Sequence, residues 1–320
     1  MISIAKSYEL CARICAASGS NFIAAFRFLP QRERRAMEAI YAFMRTADDL
    51  ADSDAPLLSR ERALQEFQTF FELALKSMME GDDAEYLSAQ EMIFPALLEV
   101  IQQYRIPPQY FFDVLDGVRM DLVPNVFQTA EDLEAYAYRV ASAVGLICLH
   151  VWGVPPEELL PNAQTPIFRA AAACGKALQW TNILRDIRED AKNGRYYLPL
   201  NELKLEVLDE DPVKETAAES VSTELMELTE QVRKRILAGD TDFLYPAIQK
   251  NLQRAERFYQ EASLLSSSIP VPGRRVFQIM TGVYYRIFLK IRRDPAKIFQ
   301  KRIKLSKMEK IFLYFRILFG

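Results

Sequence analysis

The sequence predicts an all-α fold, on three observations. Apolar residues recur at helical spacing along almost the whole chain. No segment sustains the period-two alternation of a half-buried strand. Only 11 of the 320 residues are glycine, well under the usual share of roughly 7%, which argues against a turn-dense β fold. A chain of this length can bury a large core. No long flexible linker, repeat or low-complexity tract divides it, so it reads as one domain over 1–320.

Taken in order, the periodicity predicts helices over 3–16, 31–53, 59–80, 86–104, 108–121, 130–152, 164–192, 213–238, 243–266, 271–293 and 305–318. Pro30 precedes the second, in which Ala36, Ile40 and Phe43 recur on one face. The polar stretch Asp52 to Ser59, with Pro56, separates it from the third. Pro107-Pro108 and Val123-Pro124-Asn125 mark the next breaks. The longest apolar run, Ala141 to Val154, is interrupted by Ser142 and His150. It is too short for a bilayer, which needs ~20 residues, and reads as a buried helix. Pro155-Pro156 ends it. The helix over 164–192 carries Ala170-Ala171-Ala172-Ala173-Cys174-Gly175, small residues that permit close helix packing. Pro199 and Pro270 to Pro272 punctuate the rest.

Composition excludes several classes. There is no G-x-G-x-x-G and no Walker A sequence, so the usual nucleotide cradles are absent and NADPH use cannot be argued. The four cysteines form no C-x-x-C and His150 is the only histidine, which disfavours zinc and a disulfide framework. A reducing cytoplasm fits, and the first twenty residues lack a signal-type apolar core. No nucleic-acid partner is indicated. Net charge is −3, unevenly spread. Val283 to Gly320 carries eleven Lys or Arg against Asp294 and Glu309, leaving −12 on residues 1–282. The basic, amphipathic segment 297–320 suggests a peripheral contact with the inner face of a membrane.

Two acidic segments carry the chemistry. Arg45-Thr46-Ala47-Asp48-Asp49-Leu50-Ala51-Asp52 places Asp48 and Asp52 on one helical face, four residues apart. Gln179 to Asp190 places Gln179, Asn182, Asp186 and Asp190 along one stripe, with Arg185 and Glu189 as an i,i+4 pair beside it. Acids on a helix are often a solvated face. Here the first helix is apolar around them, which points to an enclosed cavity, where unpaired carboxylates are costly unless a cation joins them. Mg²⁺ favours a few carboxylates, waters and substrate phosphate oxygens. Two such faces opposed predict a diphosphate held through metal.

These residues resemble the squalene and phytoene synthases, across nearly the whole chain. Gln179 to Pro199 is similar to the family's Q-x-x-N-x-x-R-D-x-x-E-D motif with its trailing G-R-x-Y-L-P. Asp48 to Asp52 resembles its first aspartate motif. Tyr136 to Gly145 resembles its central Y-x-Y-x-V-A-x-x-V-G segment, and Phe26 to Pro30 with Arg34-Arg35-Ala36 its N-terminal stretch. Ser20-Asn21-Phe22 departs from the family's Ser-x-Ser-Phe or Ser-Ser-Phe, leaving the diphosphate contacts at that corner open.

The resemblance implies an isoprenoid-synthase helical bundle around a central apolar cavity. It implies Mg²⁺ on Asp48, Asp52, Asn182 and Asp186, with Asp190 and Gln179 nearby. Tyr41, Arg45, Arg185 and Tyr284 match positions near the diphosphates, with Ser20, Asn21 and Phe22 beside them. Tyr136 matches a tyrosine that assists the first half-reaction. The expected activity is head-to-head coupling of two prenyl diphosphates. Farnesyl diphosphate and a C30 squalene or hydroxysqualene product come first, because Phe26 on an early helix would shorten the tail pocket. Phytoene formation from two C20 diphosphates is the runner-up. A non-catalytic assembly protein would show eroded aspartate motifs, and both are intact. The Gln179–Pro199 stretch favours head-to-head coupling over a terpene cyclase or trans-prenyltransferase.

Overall fold

In a computed structural model of the chain, residues 3–18, 21–80, 91–123, 126–161, 163–203 and 218–319 are described. Among them every regular element is helical. The first half comprises α1 (Ile4–Ser18), α2 (Asn21–Phe26), α3 (Gln31–Ala51), α4 (Leu57–Glu80), α5 (Phe94–Tyr104), α6 (Gln109–Met120), α7 (Ala130–Ala137) and α8 (Ala143–Val151). The second comprises α9 (Pro166–Lys192), α10 (Ala218–Ala238), α11 (Tyr245–Glu261), α12 (Leu265–Ser268), α13 (Gly273–Arg293) and α14 (Lys307–Phe319).

Side-chain chemistry sets the boundaries. Pro30 stands at the N-cap of α3. At α7, Thr129 accepts from Asp132 N while the Asp132 carboxylate takes the Thr129 N–H, a reciprocal cap. At α9, Thr165 caps Phe168 N and Pro166 opens the first turn. α3 buries Ala36, Met37, Ala39, Ile40, Ala42, Phe43, Ala47 and Ala51. The Phe43 ring sits 5.0–5.3 Å from those of Phe67, Phe71 and Phe111, the centre of a core built mainly by α1, α3 to α6 and α8.

A second core joins α7, α9, α10, α11 and α13. α9 belongs to both: Ala170, Ala171 and Cys174 face the first, while Ala173, Ala177, Trp180 and Leu184 face the second. The small residues make this possible. A Cβ on Gly175 would lie 2.4 Å from Ser142 Cα, and the Ser142 hydroxyl donates to Ala172 O at 2.6 Å.

Four expectations change. The short helix α2 is not visible in the periodicity. The helix expected over 130–152 is interrupted by a π turn at Tyr138–Ser142, where Ala143 N–H bonds Tyr138 O five residues back; the crossing of Gly175 against Ser142 sits on that widened turn. The helix expected over 243–266 loosens after Glu261 into a 3₁₀ turn, Ala262–Leu264, before α12. The helix expected to begin at 86 is first described as a 3₁₀ turn at Glu91–Ile93; residues 86–90 and 213–217 lie outside the described residues. Of the run Ala141 to Val154, Ala143–Val151 is a largely buried helix, with Ala141 and Ser142 in the π turn before it and Trp152 and Gly153 in a turn after it, and among the described residues no helix is long and apolar enough to cross a membrane.

Gly175→Ala should destabilise the fold, since the added methyl meets backbone rather than a movable side-chain tip. We expect a loss of about 1–3 kcal/mol, read as a lower melting temperature by circular dichroism. An unchanged melt would mean that the two helices can move apart without cost.

Candidate functional site

The two acidic segments occupy the last turns of α3 and α9. Their helix ends are fixed by arginines from elsewhere: Arg60 donates to Ala51 O at 2.8 Å, and Arg233 donates to Ala191 O at 3.0 and 2.9 Å. These cations also suit the negative pole of a helix. The segments are brought together by Arg195, in the turn after α9. Its guanidinium lies 3.5 Å from Asp52 and acts electrostatically on Asp190 and on Asp121, at the end of α6.

Asp121 carries a further layer. Tyr136 donates to it at 2.9 Å, with the second oxygen at 3.1 Å, and Tyr197 donates at 3.3 Å. Tyr136 is only 2% exposed and its ring packs against Phe127 and Tyr197. Burial, then the Asp121 charge, holds its hydroxyl well above the usual tyrosine range.

Around α9 the second segment is cation-rich. Asp186 receives Arg185 Nε at 2.8 Å and a second contact from the same guanidinium. Arg302 adds contacts at 2.8 and 3.0 Å to its two oxygens and reaches Glu189 at 3.2 Å. The expected Arg185–Glu189 pair is therefore not formed: Arg185 turns inward to half-buried Asp186, and exposed Glu189 is met by Arg302. Arg45 likewise pairs with Asp49.

Two cavities meet at Tyr284. One, about 510 Å³, is lined by Arg185, Arg302, Lys304 and Lys310, with Met280 and Tyr284 on its wall. The other, about 250 Å³, is lined largely by apolar groups including Val144, Cys148, Trp152 and Phe277, and also by Gln179, Asn182, Met280 and Tyr284. A cationic pocket thus adjoins an apolar one, and the polar stripe of α9 borders the second.

The expected enclosure is corrected. Asp48 is exposed, and the side chains of Asp49 and Asp52 are 55% and 68% exposed, because α3 ends at an open cleft. Protein still crowds Asp48: desolvation, then Asp52, pushes its carboxyl from 3.8 up to about 7. Burial, then Asp186, does the same to Asp190, up to about 7.

Of the remaining expected site residues, Tyr41 is half-buried against the first core. Phe26 is buried in that core, and Trp152 and Phe277 are the bulky groups on the wall of the apolar cavity. Ser20 lies outside the described residues, as do the side chains of Asn21 and Phe22 at the start of α2. Sequence reasoning passed over Asp121, Arg195, Tyr197 and Arg302. Arg195 and Tyr197 stand in the G-R-x-Y-L-P stretch already singled out; Arg302 was hidden in the basic segment, and Asp121 carried no signal of its own.

The donor set fits a divalent ion shared with a ligand. Asn182 Oδ1 is buried without a hydrogen-bond partner, and Asp48 and Asp190 each sit in a surplus of negative charge that a cation would relieve. Among the described residues no three acidic, histidine or cysteine side chains are grouped to hold a metal alone. Ligand oxygens and water would have to complete the shell, the habit of Mg²⁺.

Raised carboxyl pKa values give the metal-free protein a signed pH dependence. The folded state holds protons on Asp48 and Asp190 that the unfolded chain releases near 3.8. Stability from this source is full below about pH 4 and is lost as pH rises through about 7. Thermal melts in EDTA should show Asp48→Asn and Asp190→Asn less sensitive than wild type across that window. Parallel curves would mean that these carboxyls are not crowded.

Comparison with known proteins agrees with this geometry. The family described as Squalene/phytoene synthase matches residues 15–309. Phytoene synthase 1 of Arabidopsis thaliana is 30% identical over 310 residues, 96% of this chain and 65% of that protein. The chain thus spans about two thirds of that relative's length. Phytoene synthase of Mycobacterium tuberculosis is 28% identical over 97% of this chain and 90% of its own. Among solved structures, a dehydrosqualene synthase matches with a TM-score of 0.69 at 25% identity, covering 98% of this chain and 96% of that one. Squalene synthase HpnC from Alicyclobacillus acidocaldarius gives 0.69 at 25% identity, over 91% and 94%. From residue 15 to residue 309, through both acidic helix ends and the turn that joins them, this chain belongs to the squalene/phytoene synthase family.

Proposed function

We propose that this protein joins two prenyl diphosphates head to head in a Mg²⁺-dependent reaction. The observation that carries the reading is the cationic pocket of Arg185, Arg302 and Lys304 abutting an apolar cavity at Tyr284, beside the carboxylate-bearing end of α9. A diphosphate head and an isoprenoid tail need those two environments in contact.

Mg²⁺ held by Asp48, Asp52, Asn182 and Asp186, with Gln179 and Asp190 nearby, would neutralise the leaving diphosphate and promote breakage of its C1–O bond. Arg185 and Arg302 grip phosphate oxygens, with Tyr41 and Arg45 on the side of α3. The apolar wall excludes water that would capture the allylic cation, and aromatic faces stabilise its charge. The second substrate's alkene attacks C1, and loss of one proton closes a cyclopropane. Tyr136, its hydroxyl fixed on Asp121, is the group we assign to that proton loss. A second diphosphate departure and rearrangement give a C30 cation, which is quenched by loss of a proton, by water to give the alcohol, or by hydride from an added reductant such as NADPH to give the hydrocarbon.

Farnesyl diphosphate is the first reading for the substrate, supported by the bulky pair Trp152 and Phe277 in the cavity wall, 6.4 Å apart edge to face. The phytoene synthases among the relatives favour the C20 alternative. A neighbouring cavity of about 640 Å³, which shares Cys174, Phe277 and Thr281 with the first, would give a longer tail room. Incubation with C15 and C20 diphosphates separately, with and without NADPH, decides between them; turnover of neither would overturn the proposed activity.

Asp48→Ala and Asp186→Ala should each lower turnover at least a hundredfold, the loss of several kcal/mol of charge stabilisation, with helical content retained. EDTA should stop the reaction and Mg²⁺ restore it. Normal activity in a folded variant would remove that residue from the site.

Tyr136→Phe should slow formation of the cyclopropyl diphosphate by about a hundredfold. Direct supply of that intermediate should restore part of the final product. If the first half-reaction runs at the wild-type rate, Tyr136 serves only packing.

A further inference from the structure

The apolar cavity beside Tyr284 has a thin wall on one side. Its volume of about 250 Å³ falls below the range of about 300–1,000 Å³ usual for pockets that hold small organic ligands. Gln179, Asn182 and Tyr284 give it a polar end. Tyr284, Thr281 and Phe277 follow one face of α13, which puts Phe277 about 10 Å along the helix axis from Tyr284. Cys174, on α9, lines the cavity as well. Beyond lies the groove of about 640 Å³ among α9, α11, α12, α13 and α14. Cys174, Phe277 and Thr281 line both spaces, so these three side chains are all that stands between them.

The groove is a built space. Gln278 Nε2 donates to Ser266 Oγ at 2.8 Å and ties α13 to α12. The hydroxyls of Tyr259 and Thr181 bond at 2.9 Å and tie α11 to α9. Leu313 packs so closely on Gly282 that a Cβ there would lie 3.1 Å away. Tyr259, Ala262, Leu313 and Ile317 give the groove an apolar surface, while Ser263 and Arg316 are exposed at its rim. Trp152, the other bulky group on the small cavity's wall, differs from Phe277. It lines that cavity and not the groove. A Cβ on Gly273 would lie 2.6 Å from Trp152 Cβ, so α13 itself stands against it. Phe277 is the bulky wall residue with open space on its other side.

We propose that Phe277, with Cys174 and Thr281, is the partition that sets the length of isoprenoid tail this protein accepts. The inference rests on the prenyl diphosphate reading above and names the residue that selects among such substrates. An isoprenoid tail carries no polar group, so only shape and volume can read its length. The Phe277 ring ends the small cavity behind a C15 tail. A tail one isoprene unit longer needs the groove, and the ring stands in its way. A single methylene admitted or refused by a hydrophobic pocket changes selectivity about 10–200-fold. Removing the ring joins the cavity to volume that is already formed, so the longer tail gains room without opening the core.

Calorimetric binding of C15 and C20 prenyl diphosphates to the full chain with Mg²⁺, followed by turnover of each, tests it. Wild type should favour C15 about tenfold or more. Phe277→Ala should shift the ratio toward C20 at least tenfold, in Kd and in kcat/KM, with Phe277→Leu between the two. Adding Ser263→Trp at the groove's rim to the alanine variant should take back part of that gain. Circular dichroism checks each variant, and Phe277→Leu keeps the test open if Phe277→Ala misfolds. A wild type that binds both diphosphates and couples neither would overturn the proposed reaction, and the binding ratios would still judge the partition. A wild type that favours C20, an unchanged ratio in the folded Phe277 variants, or a gain that Ser263→Trp leaves whole would overturn the partition.

Discussion

Arg195 is the cation on which the rest of the cleft depends. Asp52 follows the last turn of α3, Asp121 follows α6, and Asp190 stands in the last turn of α9. Each carboxylate therefore sits at the negative pole of a helix, where it is disfavoured twice over. Arg195 contacts Asp52 and offsets part of the burial that raises the carboxyls of Asp121 and Asp190, so one guanidinium serves three helix ends. Arg60 and Arg233 take up carbonyls at two of them. Without these groups the carboxylates and carbonyls at the helix ends would face one another uncompensated.

The same economy governs the backbone. α9 can serve two cores because its middle is alanine and glycine, and it can carry acids at its end because its neighbours supply the counter-charge. A buried chain of bonds runs from Trp180 Nε1 to Asn251, and from Asn251 to Glu202 at 2.9 and 2.8 Å, with Arg254 on Glu202. It ties the centre of α9 to α11 and to the turn after Pro199. The stripe Gln179–Asp190 is thus held from behind by groups that do not face the cleft.

What was legible in the sequence was what spacing encodes. Asp48 and Asp52, or Asn182, Asp186 and Asp190, share a face on any helix, and that required no knowledge of neighbours. The run Ala170–Gly175 announced a close crossing. Its partner, the π turn at Ser142, could not be read, because that turn is shaped by the packing itself. α2 is six residues long, too short to show a period. Arg302 lies 116 residues from Asp186, and its direction is set by the tertiary fold. In the sequence it was one basic residue among many, and so was assigned to the wrong surface. Phe26 is a related case: its bulk was legible, but not that it packs in the first core.

The grip of Arg302 and Arg185 on Asp186 has a consequence for the order of events. A bare divalent ion reaching Asp186 must part it from two guanidinium groups and leave both positive charges stranded beside a third. An ion that arrives already bound to a diphosphate brings oxygens for the displaced arginines to take. The first exchange accumulates like charge; the second trades partners at nearly constant local charge. In the proposed reaction the cleft would act as a latch that a metal alone lifts poorly, and that the metal and the anion lift together.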